Sequence, residues 1–140
     1  MPPTIAPYLL YEDCDAALDF LSRAFGFEES LRYTGPEGYV SHAEMTVGDG
    51  VIYMGDPGGD YRNPANLGAR TQMVCVSVDD VDAAFERAKA AGAEITEEPA
   101  DQEYGERRFG ARDPEGHAWS ISQPIRDVEP SDWGAVGSQP

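Results

Sequence analysis

A pattern that occurs twice constrains this chain more than any other feature. The order acid-Asp-x-Asp-Ala-Ala-apolar occurs at residues 12–18 and again at residues 79–85, 67 positions later. Gly26-Phe27-Glu28 then aligns with Gly92-Ala93-Glu94, and Asp49-Gly50 with Glu115-Gly116, both at an offset of 66. Three matches in the same order indicate a tandem duplication of one structural unit.

Each copy predicts the order βαβββ. The β-rich runs 5–11 and 72–78 each lead to an aspartate, Asp13 or Asp80, of the kind that caps a helix. Apolar residues at helical spacing follow, and Gly26 and Gly92 supply the left-handed residue that ends each helix. Three further strands are predicted in each copy: 27–34, 38–47 and 51–55, then 94–98, 106–112 and 117–123. The predicted fold is therefore α+β, with eight strands in two tandem units.

The segments outside the repeat are rich in glycine and proline. We expect one domain over residues 1–125, with units at about 4–56 and 71–123. Residues 56–70 between the units predict a linker or a lid rather than a strand. The tail, residues 126–140, is expected to be disordered or docked on a neighbouring chain.

Charge and composition exclude several classes of function. The net charge of −16, from 26 acidic and 10 basic residues, repels phosphate backbones, so no nucleic-acid partner is expected. The same charge fits either plain solubility or attraction of a cationic ligand. No apolar run reaches the roughly 20 residues that span a bilayer, and the N-terminus lacks the pattern of a signal peptide. Two cysteines, Cys14 and Cys75, favour free thiols and a cytoplasmic protein.

Several motifs together resemble the vicinal-oxygen-chelate superfamily of glyoxalase, bleomycin-resistance and extradiol-dioxygenase proteins. The resemblance covers about residues 4–125 and rests on the duplication, on Val78–Phe85, on Tyr104-Gly105-Glu106-Arg107 and on the stretch from Arg112 to Ile121. Ser41-His42-Ala43-Glu44, Pro64–Gly68 and the Trp119-Ser120-Ile121 ending are similar to its branch named after the phosphonate-operon protein PhnB. One fold hosts isomerases, dioxygenases and binding proteins, so the resemblance implies a fold more than a function.

The resemblance implies a curled eight-stranded sheet in which each unit forms half of a cup. Two halves, often from different subunits, enclose a cavity, and we therefore expect a homodimer. Metal-dependent members place their ligands on the first and last strand of each unit, which we assign here to Ala6, Met54, Met73 and Ser120. None of these is His, Asp or Glu, so we expect no metal and no other cofactor.

Other side chains supply a candidate site. His42 and Glu44 share one strand face, where they can help to hold a metal, act as acid and base, or form a polar network that shapes the wall. Cys75 is a packed thiol or a nucleophile, and Tyr53 and Trp119 either line the cavity or pack beneath the helices. The predicted ligand-binding residues are Tyr8, His42, Glu44, Met54, Met73, Cys75, Arg108 and Ser120, with Arg108 close to Glu44 and residues 56–70 able to cover the mouth.

The leading functional hypothesis is a protein that binds or sequesters a small organic molecule, aromatic or cationic, without a metal. The alternatives are a lyase, isomerase or dioxygenase, metal-dependent or metal-free, and a regulatory module with an empty cavity. Whether the protein is an enzyme stays open at this point, although the missing metal ligands favour binding.

Overall fold

The computed structural model describes residues 2–137 and confirms the two tandem βαβββ units. The first unit comprises β1 (Tyr8–Leu10), α1 (Cys14–Phe25), β2 (Glu28–Thr34), β3 (Val40–Val47) and β4 (Gly50–Gly55). The second comprises β5 (Met73–Ser77), α3 (Val81–Ala90), β6 (Glu94–Asp101), β7 (Glu106–Arg112) and β8 (Ala118–Pro124). A short helix α2 (Pro64–Leu67) lies between the units, and a 3-10 helix (Pro130–Trp133) follows the second.

Each unit forms a mixed sheet of four strands. The first sheet has the order β1-β4-β3-β2 and the second has the order β5-β8-β7-β6. In both, the first strand of the unit pairs in parallel with the last, and the other pairings are antiparallel. The α+β class and the eight strands agree with the sequence, and the strands divide into two sheets of four.

The helix boundaries follow the predicted capping residues. The Asp13 carboxylate accepts the Ala16 amide at 3.1 Å, and the Asp80 carboxylate accepts the Ala83 amide at 3.1 Å. Helix α1 ends at Gly26, whose φ of 74° is the left-handed value that glycine adopts at little cost. Each helix contacts strands of its own sheet, on the face that carries the buried side chains.

The two helices contact each other, so the covered faces of both sheets share one core. At the end of α1, the ring centroids of Phe25 and Phe27 each lie 5.4 Å from the ring centroid of Trp119 in the second unit. The residues that fill this core from the sheets are Leu9, Ala43, Met45, Ile52, Met54, Val76, Phe109, Ala111, Trp119 and Ile121. Among residues 2–137, α1 and α3 are the helices that contact these sheets most, and the face opposite them is left open.

A buried carboxylate fastens the two units together. Asp113 Oδ2 accepts the Tyr11 hydroxyl at 2.6 Å and the Trp119 indole N–H at 3.1 Å. Asp113 Oδ1 accepts the backbone amides of Glu115 and His117, so it also shapes its own turn. Tyr11 belongs to the first unit and the other groups to the second, which makes Asp113 a bridge between them.

Residues 56–70 are held in place by side chains from both units. Asn63, which is buried, donates from its backbone amide to Glu12 and from its side chain to Glu115. The Tyr61 hydroxyl donates to the carbonyl of Leu10. These bonds agree with a linker that is not a strand; its closing over a ligand stays a prediction.

Candidate functional site on the open sheet faces

The open face of the first sheet brings together three rings and one carboxylate. Cross-strand pairing places Tyr8 beside Tyr53, and Tyr53 beside Glu44, with His42 two residues away on the same face. The ring centroids of Tyr8 and His42 are 5.5 Å apart, those of His42 and Tyr53 5.6 Å, and those of Tyr8 and Tyr53 6.3 Å. The predicted residues Tyr8, His42 and Glu44 thus form one cluster.

Hydrogen bonds connect Tyr8, His42 and Glu44 in a chain. The Tyr8 hydroxyl lies 2.9 Å from His42 Nδ1, and His42 Nε2 lies 2.8 Å from Glu44 Oε2. In the neutral tautomer that fits this geometry, Nε2–H donates to the carboxylate and Nδ1 accepts from the phenol. The Glu44 carboxylate is thus the final acceptor of the chain and lies beside the rings.

The electrostatics of this face favour a positive ligand. Loss of solvation raises the pKa of Tyr8, and the neighbouring Cys14 and Glu44 raise it further, so the phenol stays neutral. No Arg or Lys forms an ion pair with Glu44 among the residues described. Large apolar side chains that remain exposed on the same face are Tyr8, Leu10, Leu31 and Tyr33.

The open face of the second sheet carries the other predicted residues. Cys75 pairs with Ser120 across the strands, and Met73 lies two residues before Cys75 on the same face. Arg108 Nε donates to Ser120 Oγ at 2.9 Å. Met73 and Cys75 are exposed, whereas Ser120 is covered by the Arg108 side chain.

Two of the expectations for the site are wrong. Met54 does not line a cavity: it is 0% exposed and lies under α1. The reason is the turn, because Thr46 pairs with Val51 in the first unit whereas the equivalent Arg112 pairs with Ala118 in the second, one residue farther along, so a constant offset of 66 fails after the turn. Tyr53, not Met54, occupies the position equivalent to Ser120.

The second error concerns the charge pair. Arg108 does not approach Glu44 within this chain; its Nη1 donates to Glu97 at 2.6 Å instead. Long-range pairing of this kind depends on how the two sheets are placed, which strand parity alone does not fix. The eight predicted residues therefore divide into two groups on separate sheets, plus Met54 in the core.

Three further ring side chains have structural positions. Trp119 packs in the core, which agrees with one of the two alternatives predicted for it. His117 Nε2 lies 2.8 Å from the Leu10 carbonyl, and its ring contacts Tyr11 at 4.7 Å between centroids. Trp133 of the tail packs on Tyr104 of the same chain, with 5.5 Å between ring centroids. None of these joins the cluster around Glu44.

The residues present do not fit a catalytic divalent metal. On the first and last strands of each unit, the open faces present Tyr8, Tyr53, Cys75 and Ser120, with no imidazole or carboxylate. Within residues 2–137, no group of three or more His, Cys, Asp or Glu side chains is placed to hold a metal ion. His42 and Glu44 supply only two such donors, and they are bonded to each other.

Comparison with known proteins decides the family. The sequence model of the glyoxalase/bleomycin resistance protein/dioxygenase superfamily matches residues 4–121. The chain belongs to this superfamily. It is 36% identical over 131 residues to an uncharacterised protein of Mycobacterium tuberculosis, covering 90% of this chain and 77% of that one. An uncharacterised protein of Mycobacterium bovis shows the same identity, with 86% of its length covered.

Several solved structures share the fold. The crystal structure of TioX from Micromonospora sp. ML1 matches with a TM-score of 0.71 and 34% identity, covering 91% of this chain and 100% of that one. A glyoxalase/bleomycin resistance protein/dioxygenase from Nocardioides matches with a TM-score of 0.68 and 24% identity over 98% and 91% of the two chains. The fosfomycin resistance protein FosX of Listeria monocytogenes, at 18% identity and a TM-score of 0.64 over 89% and 95%, shows the shared fold alone.

Proposed function

We propose that this superfamily member binds a small organic cation, aromatic in character, on the open face of its first sheet without using a metal. The cluster of Tyr8, His42 and Tyr53 around the Glu44 carboxylate carries the proposal. A cation over an aromatic face gains about 0.5–1 kcal/mol at an exposed site and about 2 kcal/mol when water is excluded. The net charge of −16 adds a long-range attraction for the same class of ligand.

We further propose that a second subunit covers this face and that the protein acts in the cytoplasm as a homodimer. The exposed side chains of Leu10, Leu31 and Tyr33 border the cluster and gain from being covered. A subunit placed there would shield the ligand from water and strengthen the contacts with Glu44. The Ser41–Glu44 stretch, which supplies His42 and Glu44, also supports a place in the PhnB-like branch.

The charge of Glu44 provides the test. We expect wild-type protein to bind benzylamine, a cation at neutral pH, more tightly than the neutral benzyl alcohol. Glu44→Gln keeps the shape of the side chain and removes its charge, so the affinity for benzylamine should fall about tenfold while that for benzyl alcohol stays unchanged. Calorimetric or NMR titration of both compounds measures this difference.

Glu98→Gln is the matched control. Glu98 is exposed on β6 and has no ion-pair partner in the described part of the chain, so this variant removes the same charge far from the cluster. The proposal fails if benzylamine binds no better than benzyl alcohol. It also fails if Glu98→Gln weakens benzylamine binding as much as Glu44→Gln does.

A second candidate function rests on the hydrogen-bond chain from Tyr8 through His42 to Glu44. A carboxylate that orients an imidazole, which in turn contacts a phenol, is an arrangement able to move a proton at the Tyr8 oxygen. In a metal-free lyase or isomerase, the Tyr8 oxygen would take a proton next to a carbonyl group while the Tyr8 hydroxyl proton passes to His42 Nδ1, so that the phenol stays neutral. Exchange of such protons of a 2-oxo acid in deuterated water, lost in Tyr8→Phe and His42→Asn, would favour this enzyme over the binding protein.

A further inference from the structure

The two open faces carry opposite chemistry at equivalent positions. The cross-strand pairings align the units residue by residue, so that Tyr8 corresponds to Cys75, Tyr53 to Ser120, His42 to Arg108 and Glu44 to Gly110. The first face therefore has rings and an acid where the second has small side chains and a guanidinium. A ligand that suits one face does not suit the other.

Arg108 is fixed in place by two side chains. Its Nε donates to Ser120 Oγ at 2.9 Å and its Nη1 to Glu97 Oε2 at 2.6 Å, and the Arg108 side chain is only 13% exposed. Its Nη2 has no hydrogen-bond partner within residues 2–137. Since no buried polar side-chain atom of those residues lacks a partner, Nη2 reaches solvent. The guanidinium thus presents an open donor in a fixed orientation, which suits a planar anion.

A glycine makes room for this orientation. A Cβ atom at Gly110 would lie 2.7 Å from Thr96 Oγ1 and 3.4 Å from Arg108 Nη2. An added side chain there would collide first with the Thr96 hydroxyl and would stand in van der Waals contact with the guanidinium, so glycine leaves the space beside Arg108 open. Glu97 is 62% exposed, and an exposed ion pair contributes little, so a carboxylate of a ligand can replace it on Arg108.

An aromatic pair lies at the start of the strand that carries the guanidinium. Tyr104 stands in the turn that leads into β7, four residues before Arg108. Loss of solvation and the nearby Glu106 raise the pKa of Tyr104, whereas the charge of Arg108 lowers it. The Trp133 ring packs on Tyr104 at 5.5 Å between centroids, and both rings are partly exposed. The tail therefore adds a flat apolar wall next to a fixed positive group.

We propose that Arg108 binds the carboxylate of a small aromatic acid on the open face of the second sheet, with Ser120 positioning the guanidinium and Tyr104 and Trp133 contacting the ring. The inference rests on the proposed function in one respect, namely that the open faces bind small organic molecules. It concerns a different sheet and a ligand of opposite charge. Benzylamine tests the first sheet and benzoate tests the second, so a protein that binds only one of these two compounds would satisfy one proposal and not the other.

The experiment is an NMR titration of the wild-type protein with benzoate and, separately, with the neutral benzamide. The hydrogen bond to Ser120 holds the Arg108 Nε–H proton, so its signal is a direct reporter. We expect benzoate to shift this signal and the indole signal of Trp133, with an affinity about tenfold higher than that of benzamide. The buried indole of Trp119, bonded to Asp113, should not move.

Arg108→Gln should reduce the affinity for benzoate about tenfold and leave that for benzamide unchanged, and Ser120→Ala should weaken benzoate binding less. Arg112→Gln is the matched control, because Arg112 lies on the same strand and also pairs with a glutamate of β6. The proposal is overturned if Arg112→Gln and Arg108→Gln weaken benzoate equally. It is also overturned if benzamide binds as well as benzoate, or if the Arg108 signal does not respond.

Discussion

Replacing Asp113 with alanine should destabilise the protein more than any exposed carboxylate replacement. The Tyr11 hydroxyl and the Trp119 indole N–H, both on side chains 1% exposed, would lose their shared acceptor. Each buried donor left without a partner costs about 1–3 kcal/mol, so Asp113→Ala should lower the free energy of unfolding by about 4 kcal/mol. A domain is stable by only about 5–15 kcal/mol, so this is a large fraction of the total.

Urea unfolding followed by circular dichroism measures the loss. Asp79→Ala, which removes an exposed carboxylate with no hydrogen-bond partner in residues 2–137, is the control and should change stability by less than about 0.5 kcal/mol. Tyr11→Phe should cost about 2 kcal/mol in the wild-type protein but should recover part of the loss in the Asp113→Ala background, where it removes an unpaired buried hydroxyl. Equal costs of Tyr11→Phe in both backgrounds would refute the bridging role of Asp113.

The remaining predictions concern the thiols and the assembly. Burial, then Asp15, raises the pKa of Cys14 from 9.0 to about 12, so near pH 8 a thiol reagent should modify only the exposed Cys75 in folded protein and both cysteines after unfolding. Two rapidly reacting thiols in folded protein would contradict the burial of Cys14. Because folding disfavours the Cys14 thiolate, the stabilising contribution of the neutral Cys14 thiol should be present below pH 9.0 and lost as the pH rises toward about 12. Sedimentation at micromolar concentration should show a dimer. A 15.2 kDa species alone would contradict the proposal that a second subunit covers the open face of the first sheet.

The sequence predicts most of the fold because the fold depends on local patterns that occur twice. Asp13 and Asp80 begin their helices as expected, since a cap acts within one turn of its own residue. The side-chain faces of β3 and β7 are also correct, because alternation along a strand needs no knowledge of the partner. His42, Glu44 and Arg108 therefore lie on open faces as predicted.

The errors arise where distant residues decide the outcome. Met54 was assigned to the wrong face because the two units differ by one residue between their last two strands, and a shift of one residue reverses a strand face. The bridge from Tyr11 to Asp113 joins residues 102 positions apart, and nothing near Asp113 in the sequence reveals its partner. Tyr53 could have been found by applying the offset of 67, seen at the helix starts, to the last strand as well.

A crystal structure of the protein soaked with benzylamine tests the proposed cation site around Glu44 most directly. We expect the ammonium group to lie within about 6 Å of the ring centroids of Tyr8 and Tyr53 and to form a hydrogen bond with Glu44. The cavity of about 380 Å³ between the β3–β4 turn and β5, lined in part by Ile5, Val51 and Val74, is the competing location. Benzylamine bound there, with the Glu44 cluster unoccupied, would contradict the proposed function.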